Sequence, residues 1–266
     1  MPFSASDVLL VDRRDGITTL TMNRPDSMNS LSSELKSALL DALINIRGDE
    51  STRAVILTGT GRGFCVGQDL AEHVELLRSG SPTPLQTVRE HYNPITEALT
   101  NLRVPVIAAV NGTAAGAGAG FAFACDLRIV SNEAKFLLAF ANVGLGLDSG
   151  ASWTLPRLVG AGRAAELCLL AQPISAETAD RYGLVTQLVP PNKVLSSAQE
   201  LARRLASGPT AAYAGIKQTL LFSATHSLTE SLENEAVQQN VLGASVDHAA
   251  AVEAFVAKQP PVFTGR

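Results

Sequence analysis

The chain has 266 residues, 46% of them apolar and 17% charged, a composition that excludes a disordered or fibrous protein and suits one large α/β domain or a domain with a small appendage. Its formal net charge of −4, with no run of like charges, argues against nucleic acid as the main partner. Cys65, Cys125 and Cys168 each sit among apolar residues, which points to free thiols in a reducing, cytoplasmic compartment. The opening "MPFSASDVLLVDRRDG" has no basic segment followed by a long apolar run, so no signal peptide is expected.

In chain order, "VLLV", "RRDG" and "ITTLTM" predict a hairpin with Asp15-Gly16 at its tip. Leu35, Leu39, Leu43 and Ile46 recur at helical spacing in "SSELKSALLDALINI", behind serines that can cap the start. "RAVILTG" is a buried strand, and "TGRGFCVGQDL" is a Gly-rich loop entering a helix. "SGSPTP", residues 79–84, predicts an exposed, mobile loop. "LQTVREHYNPITEALTNL" predicts a helix kinked or broken at Pro94. Val104 to Cys125 is uncharged for 22 residues, the length of a membrane span. Pro105, Asn111, Gly112 and three spaced glycines break it into a strand, a turn and a Gly-rich helix start, so no membrane association is expected. Another strand, "DLRIVS", follows. Helices are then predicted near 161–171, 175–182, 192–206, 209–224 and 229–257. Strand–helix alternation followed by helices implies a parallel-rich sheet with a helical C-terminal region, and such an arm makes a homo-oligomer plausible.

Two Gly-rich loops, Gly61 to Asp69 and Asn111 to Gly120, follow buried strands and open helices. Backbone N–H groups at a helix start lack intrahelical partners and lie at the positive end of the dipole, a setting for a phosphate or a developing oxyanion. "GAGAG" is only loosely like a dinucleotide fingerprint, and it stands beyond residue 110 rather than early in the domain, which argues against a nucleotide-dependent oxidoreductase.

The stretches "NRPDSMNSL", "AVILTGTGRGFCVGQDL", "PVIAAVNGTAAGAGAGFAFACDLRI", "AKFLLAFANVGLGLDSGASWTLPRLVG" and "ISAETADRYGLVTQLVP", in that order, resemble the crotonase (enoyl-CoA hydratase/isomerase) family. The resemblance implies a crotonase-like spiral of ββα units over residues 1–200, carrying the CoA and acyl site. It implies a helical oligomerisation region over 201–266, and a homotrimer or dimer of trimers. It also implies a coenzyme A thioester as substrate, with no separate cofactor and no metal. The family's oxyanion hole, two backbone N–H groups, falls at Gln68 and Ala117. Cys65, Gly67, Asp69, Gly116 and Phe140 fall at substrate- or CoA-contacting positions.

The charges carry the chemistry further. Hydration across a double bond is helped by two carboxylates, and the family's two glutamates align with Gly120 and Phe140, neither acidic. Between Val104 and Leu155 the only charged residues are Asp126, Arg128, Glu133, Lys135 and Asp148. Asp126 and Glu133 flank a predicted strand and are expected to face outward or pair locally. Asp148, in "VGLGLDSGASW", reads on its own as a turn aspartate. The resemblance places it where several isomerases of the family, and a dehalogenase relative, carry a catalytic aspartate. One carboxylate can move a proton between two carbons, which suits isomerisation. Apolar Phe140, Leu145 and Leu147 would desolvate it and raise its pKa.

Within the family, "GRGFCVGQDL", "HYNP", "GLGLDSGASW" and "FVAKQPPVFTG" are most similar to the ring-1,2-epoxyphenylacetyl-CoA isomerases of phenylacetate breakdown. Those convert an arene-epoxide thioester to an oxepin thioester and can shift double bonds. A generic Δ3,Δ2-enoyl-CoA isomerase, a hydratase-like protein and a non-catalytic acyl-CoA-binding scaffold are the alternatives. Dehalogenation fits less well, because its histidine and tryptophan align with Asn93 and Phe140. Tyr92 and Asn93 either line the acyl pocket or mark the kink before Pro94. Arg24 either meets a CoA phosphate or is a solvated arginine. Lys258 and Phe263 match a tail that in relatives approaches CoA on an adjacent subunit, against ordinary roles as an exposed lysine and a packing phenylalanine. Trp153 reads as core.

Overall fold

A computed structural model describes residues 7–266. The hairpin forms as read: β1 (Leu9–Arg14) and β2 (Ile17–Met22) pair antiparallel around Asp15 and Gly16, both at positive φ (52° and 74°), as a tight two-residue turn requires. Helix α1 (Ser33–Arg47) starts where the Ser32 hydroxyl accepts from the Leu35 N–H. It buries Leu35, Leu39, Leu43 and Ile46.

From there the chain repeats one unit, a strand in each of two sheets and then a helix. The first unit is β3 (Ala54–Gly59), β4 (Gly63–Cys65) and α2 (Leu70–Arg78). The second is β5 (Val106–Val110), β6 (Thr113–Ala115) and α4 (Ala117–Ala124), preceded by α3 (Asn93–Asn101). The third is β7 (Leu127–Ser131), β8 (Lys135–Leu137) and α5 (Ala151–Val159). The larger sheet runs β1-β2-β3-β5-β7-β10, parallel beyond the hairpin, and the smaller runs β4-β6-β8-β9. The last strands are β9 (Ile174–Ser175) and β10 (Gln187–Val189). This is the spiral of ββα units that the resemblance implies.

The parallel strands are buried on both faces, which is why they read as unbroken apolar runs. Val55 and Leu57 of β3 enter the main core with α1, whereas Ala54 and Ile56 face α8 (Val194–Ala206). That helix presents Val194, Ala198, Ala202 and Ala206, one residue per turn. The uncharged stretch resolves into β5, β6 and α4, and among the described residues no helix is long and apolar enough to cross a membrane.

Several expectations change. The helix read over 229–257 is two, α10 (Leu228–Gly243) and α11 (Val246–Val256), because the Ser245 hydroxyl caps the second by accepting from His248 N–H. Pro94 does not break its helix. It stands in the first turn of α3, where its missing N–H is harmless, after a π-helical turn over Val88–Tyr92. Trp153 is half-buried on α5, with the Arg157 guanidinium stacked 4.0 Å from its ring centre. The remaining helices are α6 (Ala161–Leu170), α7 (Ala176–Arg181) and α9 (Thr210–Ser223).

Asp126 neither faces outward nor pairs locally. Its Oδ2 accepts from the Val106 N–H and from the Lys217 ammonium of α9, both at 2.7 Å, so it ties a C-terminal helix to the start of β5. Removing it leaves a largely buried ammonium without its counter-charge. Asp126→Ala is therefore expected to lower stability by about 3 kcal/mol in urea unfolding, with Asp126→Asn losing less because the amide oxygen still accepts from Val106.

Candidate active site

The two Gly-rich loops meet. Gly118 in the first turn of α4 has no room for a side chain: a Cβ there would overlap the Cys65 carbonyl and come within 2.8 Å of the Cys65 Cβ. A Cβ on Gly67 would stand 3.0 Å from the Ala115 carbonyl oxygen and 3.3 Å from the Ala117 nitrogen, so the loop end at Gly67 faces the start of α4 with little room for a side chain. Gly116, at φ 51° and ψ −125°, holds a conformation open to glycine and turns the chain from β6 into α4. The first intrahelical bond is Gly120 N–H to Gly116 C=O, which leaves the Ala117 N–H without an intrahelical acceptor.

The Gln68 N–H is oriented by a single parallel bridge. Leu31 N–H donates to Gly67 C=O, and Asp69 N–H donates to Leu31 C=O. Successive peptide groups of an extended chain alternate sides, so the Gln68 N–H points away from Leu31. Gly67, Gln68, Gly116 and Ala117 all line one cavity of about 830 Å³, within the range of small-molecule sites.

Asp148 lines the same cavity, with Tyr92, Phe140 and Leu145. Its backbone does make a turn: Ser149 and Gly150 are both left-handed (φ 51° and 72°), and Ala151 N–H closes onto Asp148 C=O at 3.0 Å. The side chain is not spent on that turn. Its Oδ1 accepts from the Ser149 hydroxyl at 2.8 Å. Burial raises the Asp148 pKa above the ordinary carboxylate value, and the Ser149 hydrogen bond opposes that rise. Leu147 does not line this cavity. It lines an adjoining apolar cavity that shares Phe140 and Leu145 with the first.

Tyr92 is 2% exposed, its ring edge-on to Phe121 and under the Lys36 ammonium at 5.7 Å, and its hydroxyl donates to Gln68 Oε1. Burial, and then the nearby Asp148, push its pKa far up, so the hydroxyl stays protonated.

Six further candidates stand outside the lining. Arg24 is no simply solvated arginine: one guanidinium nitrogen is bound within the chain, while Nε and Nη2 make no hydrogen bond among the described residues and the side chain is a quarter exposed. Nη1 donates to Asp69 Oδ2 at 2.7 Å and to the Ser30 carbonyl and hydroxyl. Asp69 is the other half of that clamp and also caps α2, accepting from Ala71 and Glu72 N–H. Burial alone would raise its pKa, but the Arg24 and Ser30 hydrogen bonds hold it below the ordinary value. The Cys65 thiol is fully buried and pushed up to about 12, which makes it packing. Asn93 lines a separate cavity with Thr96, Gly150 and Trp153. Lys258 is exposed, and the Phe263 carbonyl accepts from Arg53, so neither reaches this cavity within the chain.

His73 was missed by the sequence reading. It lines the cavity from α2 with Leu70 and Leu77, and its Nδ1 is buried without a partner among the described residues. The i, i+3, i+7 spacing of these three was the available signal.

Residues 12–266 match the enoyl-CoA hydratase/isomerase family. The 1,2-epoxyphenylacetyl-CoA isomerase of Escherichia coli K12 is 41% identical over 251 residues, covering 94% of this chain and 96% of its own. A Rhodobacter capsulatus protein that carries the name enoyl-CoA hydratase is 42% identical over 253 residues, covering 95% and 96%. Among solved structures, a Mycobacterium abscessus protein assigned to the enoyl-CoA hydratase/isomerases superposes with a TM-score of 0.94 at 47% identity, covering 97% of this chain and 100% of that one. The chain, with its crotonase spiral and its two loops meeting at one cavity, belongs to the enoyl-CoA hydratase/isomerase family.

Proposed function

We propose that the chain is an acyl-CoA isomerase in which the Gln68 and Ala117 N–H groups bind the thioester carbonyl oxygen and Asp148 moves the proton. The observation that carries this reading is the carboxylate count: among the described residues, Asp148 is the one carboxylate lining the cavity between the two loops. Polarising the carbonyl acidifies the α-carbon, and each donor of such a hole is worth about 2.7–4 kcal/mol in the transition state. The Asp148 carboxylate takes the α-proton, the negative charge passes to the thioester oxygen, and the same carboxylic acid returns the proton to another carbon. For a double-bond shift that proton transfer is the whole reaction; for an arene epoxide the carbon–carbon bond shared by the two rings also breaks, its electron pair entering the ring double bonds, so the ring expands with every atom retained and no cofactor is needed. The substrates proposed are 1,2-epoxyphenylacetyl-CoA, rearranged to an oxepin thioester, and 3-enoyl-CoA, shifted to 2-enoyl-CoA. The similarity to the Escherichia coli isomerase supports the first.

Packing disfavours the hydratase reading. The position aligned with one hydratase glutamate, Gly120, is filled by the Asp148 turn: a Cβ there would be 2.7 Å from the Ser149 Cβ and 2.8 Å from the Ser149 carbonyl oxygen. The same turn that presents Asp148 therefore leaves no room for that glutamate. A non-catalytic scaffold has no use for a desolvated carboxylate facing an open cavity.

The proposal includes a homotrimer or dimer of trimers assembled through the helical region from residue 201. Phe255 (83% exposed) and Val256 (78%) on α11 leave apolar surface for a neighbour, where Lys258 and Phe263 would approach its CoA. A cytoplasmic location suits the three free thiols.

Asp148→Asn is expected to keep thioester binding and lose about 10²- to 10⁴-fold in kcat, measured with 3-enoyl, 2-enoyl and arene-epoxide thioesters by mass and ultraviolet spectra. Rapid hydration of crotonyl-CoA by the wild type would overturn the reading. Since Asp148 acts as a base from a raised pKa, kcat/KM should fall with decreasing pH along a limb above the ordinary aspartate range.

The sign for stability is the reverse. The folded chain holds the Asp148 proton more tightly than the unfolded one, so this group's contribution is lost as pH rises through the folded pKa. Asp148→Asn should therefore melt higher than the wild type at pH 8, the gap closing toward pH 4, in differential scanning calorimetry. Gly120→Ala should cost about 1–3 kcal/mol through overpacking and lower turnover by displacing Ser149, without gaining hydration of crotonyl-CoA.

A further inference from the structure

Most of the cavity wall is apolar, and the hydrogen-bonding pattern at Gln68 stands out against it. Tyr92 is buried, and its hydroxyl has one donor to place. Gln68 Oε1 is the acceptor it reaches. That bond fixes which way the Gln68 amide faces, because an N–H₂ in place of Oε1 would leave the Tyr92 proton without an acceptor. The Gln68 amide nitrogen is thereby turned away from Tyr92. It makes no hydrogen bond among the described residues and is not among the buried unpaired atoms, so it stands accessible on a residue that lines the cavity. The bond is held from both sides: Gln68 by the Leu31 bridge and Tyr92 by its packing on Phe121.

We propose that the Gln68 side-chain amide, oriented by Tyr92, is a specificity-determining donor that recognises an oxygen acceptor on the acyl group itself, separate from the thioester carbonyl held by the backbone N–H groups. The favoured ligand class is an acyl thioester bearing an ether, epoxide or ketone oxygen a few bonds from the carbonyl, over the equivalent hydrocarbon acyl group. A donor placed among apolar walls discriminates because a ligand lacking the acceptor removes water from the amide without replacing its hydrogen bond. Tyr92 acts through Gln68 and is a positioning residue. The inference rests on the acyl-thioester reading but not on catalysis.

Binding tests it without turnover. The probes are (2-oxocyclohexyl)acetyl-CoA, which adds an acceptor-only oxygen, and cyclohexylacetyl-CoA, which lacks it, with Kd for both measured by titration calorimetry. The wild type should bind the ketone thioester about tenfold more tightly, as one net hydrogen bond allows. Gln68→Met should bring the ratio near one, and Tyr92→Phe should lower it about threefold or more by freeing the amide to rotate. Melting curves show whether each variant is folded, and the wild-type ratio stands independently of them. Equal affinity of the wild type for the two probes overturns the inference while leaving the acyl-CoA reading intact. A ratio unchanged in folded Gln68→Met does the same, and one unchanged in folded Tyr92→Phe overturns the positioning role. Failure of both probes to bind the wild type overturns the inference and the acyl-CoA reading together.

Discussion

The close approach of α4 to β4 is the constraint on which the site depends. Gly118 lies against the Cys65 carbonyl with no space for a methyl group, and a methyl on Gly67 would crowd the Ala117 nitrogen. The proposed oxyanion hole needs two backbone N–H groups a few ångströms apart, although Gln68 and Ala117 are separated by two strands and two helices in sequence. The ββα repeat solves this by returning each unit's second strand to the same small sheet, so that β4 and β6 are neighbours and the loops leaving them meet. Small residues then let the helix come close enough. The lack of side chains in "AAGAGAG" is a packing requirement first, and the donor geometry follows from it.

A second constraint holds the Gln68 side of the cavity. The Arg24 guanidinium joins the Ser30 carbonyl, the Ser30 hydroxyl and the Asp69 carboxylate, and the buried Asn29 amide bonds the carbonyls of Thr60 and Gly63. The segment from Arg24 to Leu31 thus braces the Gly-rich loop from one side while α4 braces it from the other. Asp69 contributes twice, because the carboxylate that pairs Arg24 also caps α2. One nitrogen of the Arg24 guanidinium is thus engaged within the chain, and its bond to Asp69 helps hold that carboxylate ionised beside a cavity whose own carboxylate, Asp148, is shifted the opposite way.

What the sequence made legible divides along the range of the interactions. Helical periodicity revealed α1, unbroken apolar runs revealed β3 and β5, and serines marked the start of α1. The strands β4, β6 and β8 are three residues each, too short to show alternation, and they exist because the neighbouring unit supplies their partners. α5 was hidden because its first turn follows a glycine in "DSGASW", which reads as loop. The role proposed for Asp148 was legible through its match to an aspartate position of the family's isomerases and through what was missing around it, the two glutamates. The reason for one absence, Ser149 against Gly120, became visible only in three dimensions. The ion-pair partners of Arg24 and Asp126 were illegible for a common cause: they lie 45 and 91 residues away, and no local pattern announces such a pair.

The source of the raised pKa of Asp148 has a consequence for catalysis. No neighbouring carboxylate raises it and no cation lowers it; the shift comes from lost solvation, tempered by one hydroxyl. A base held by a cation would be weakened by that cation throughout the reaction. A base held by desolvation becomes stronger as an acyl group displaces the remaining water, so substrate entry itself raises its proton affinity. In the proposed reaction the apolar walls supplied by Phe140 and Leu145 therefore act on the proton transfer as well as on the fit of the acyl group. The same walls make the ionised form costly when the cavity is empty, so the feature that prepares Asp148 to take a proton is one the fold must hold against its own stability.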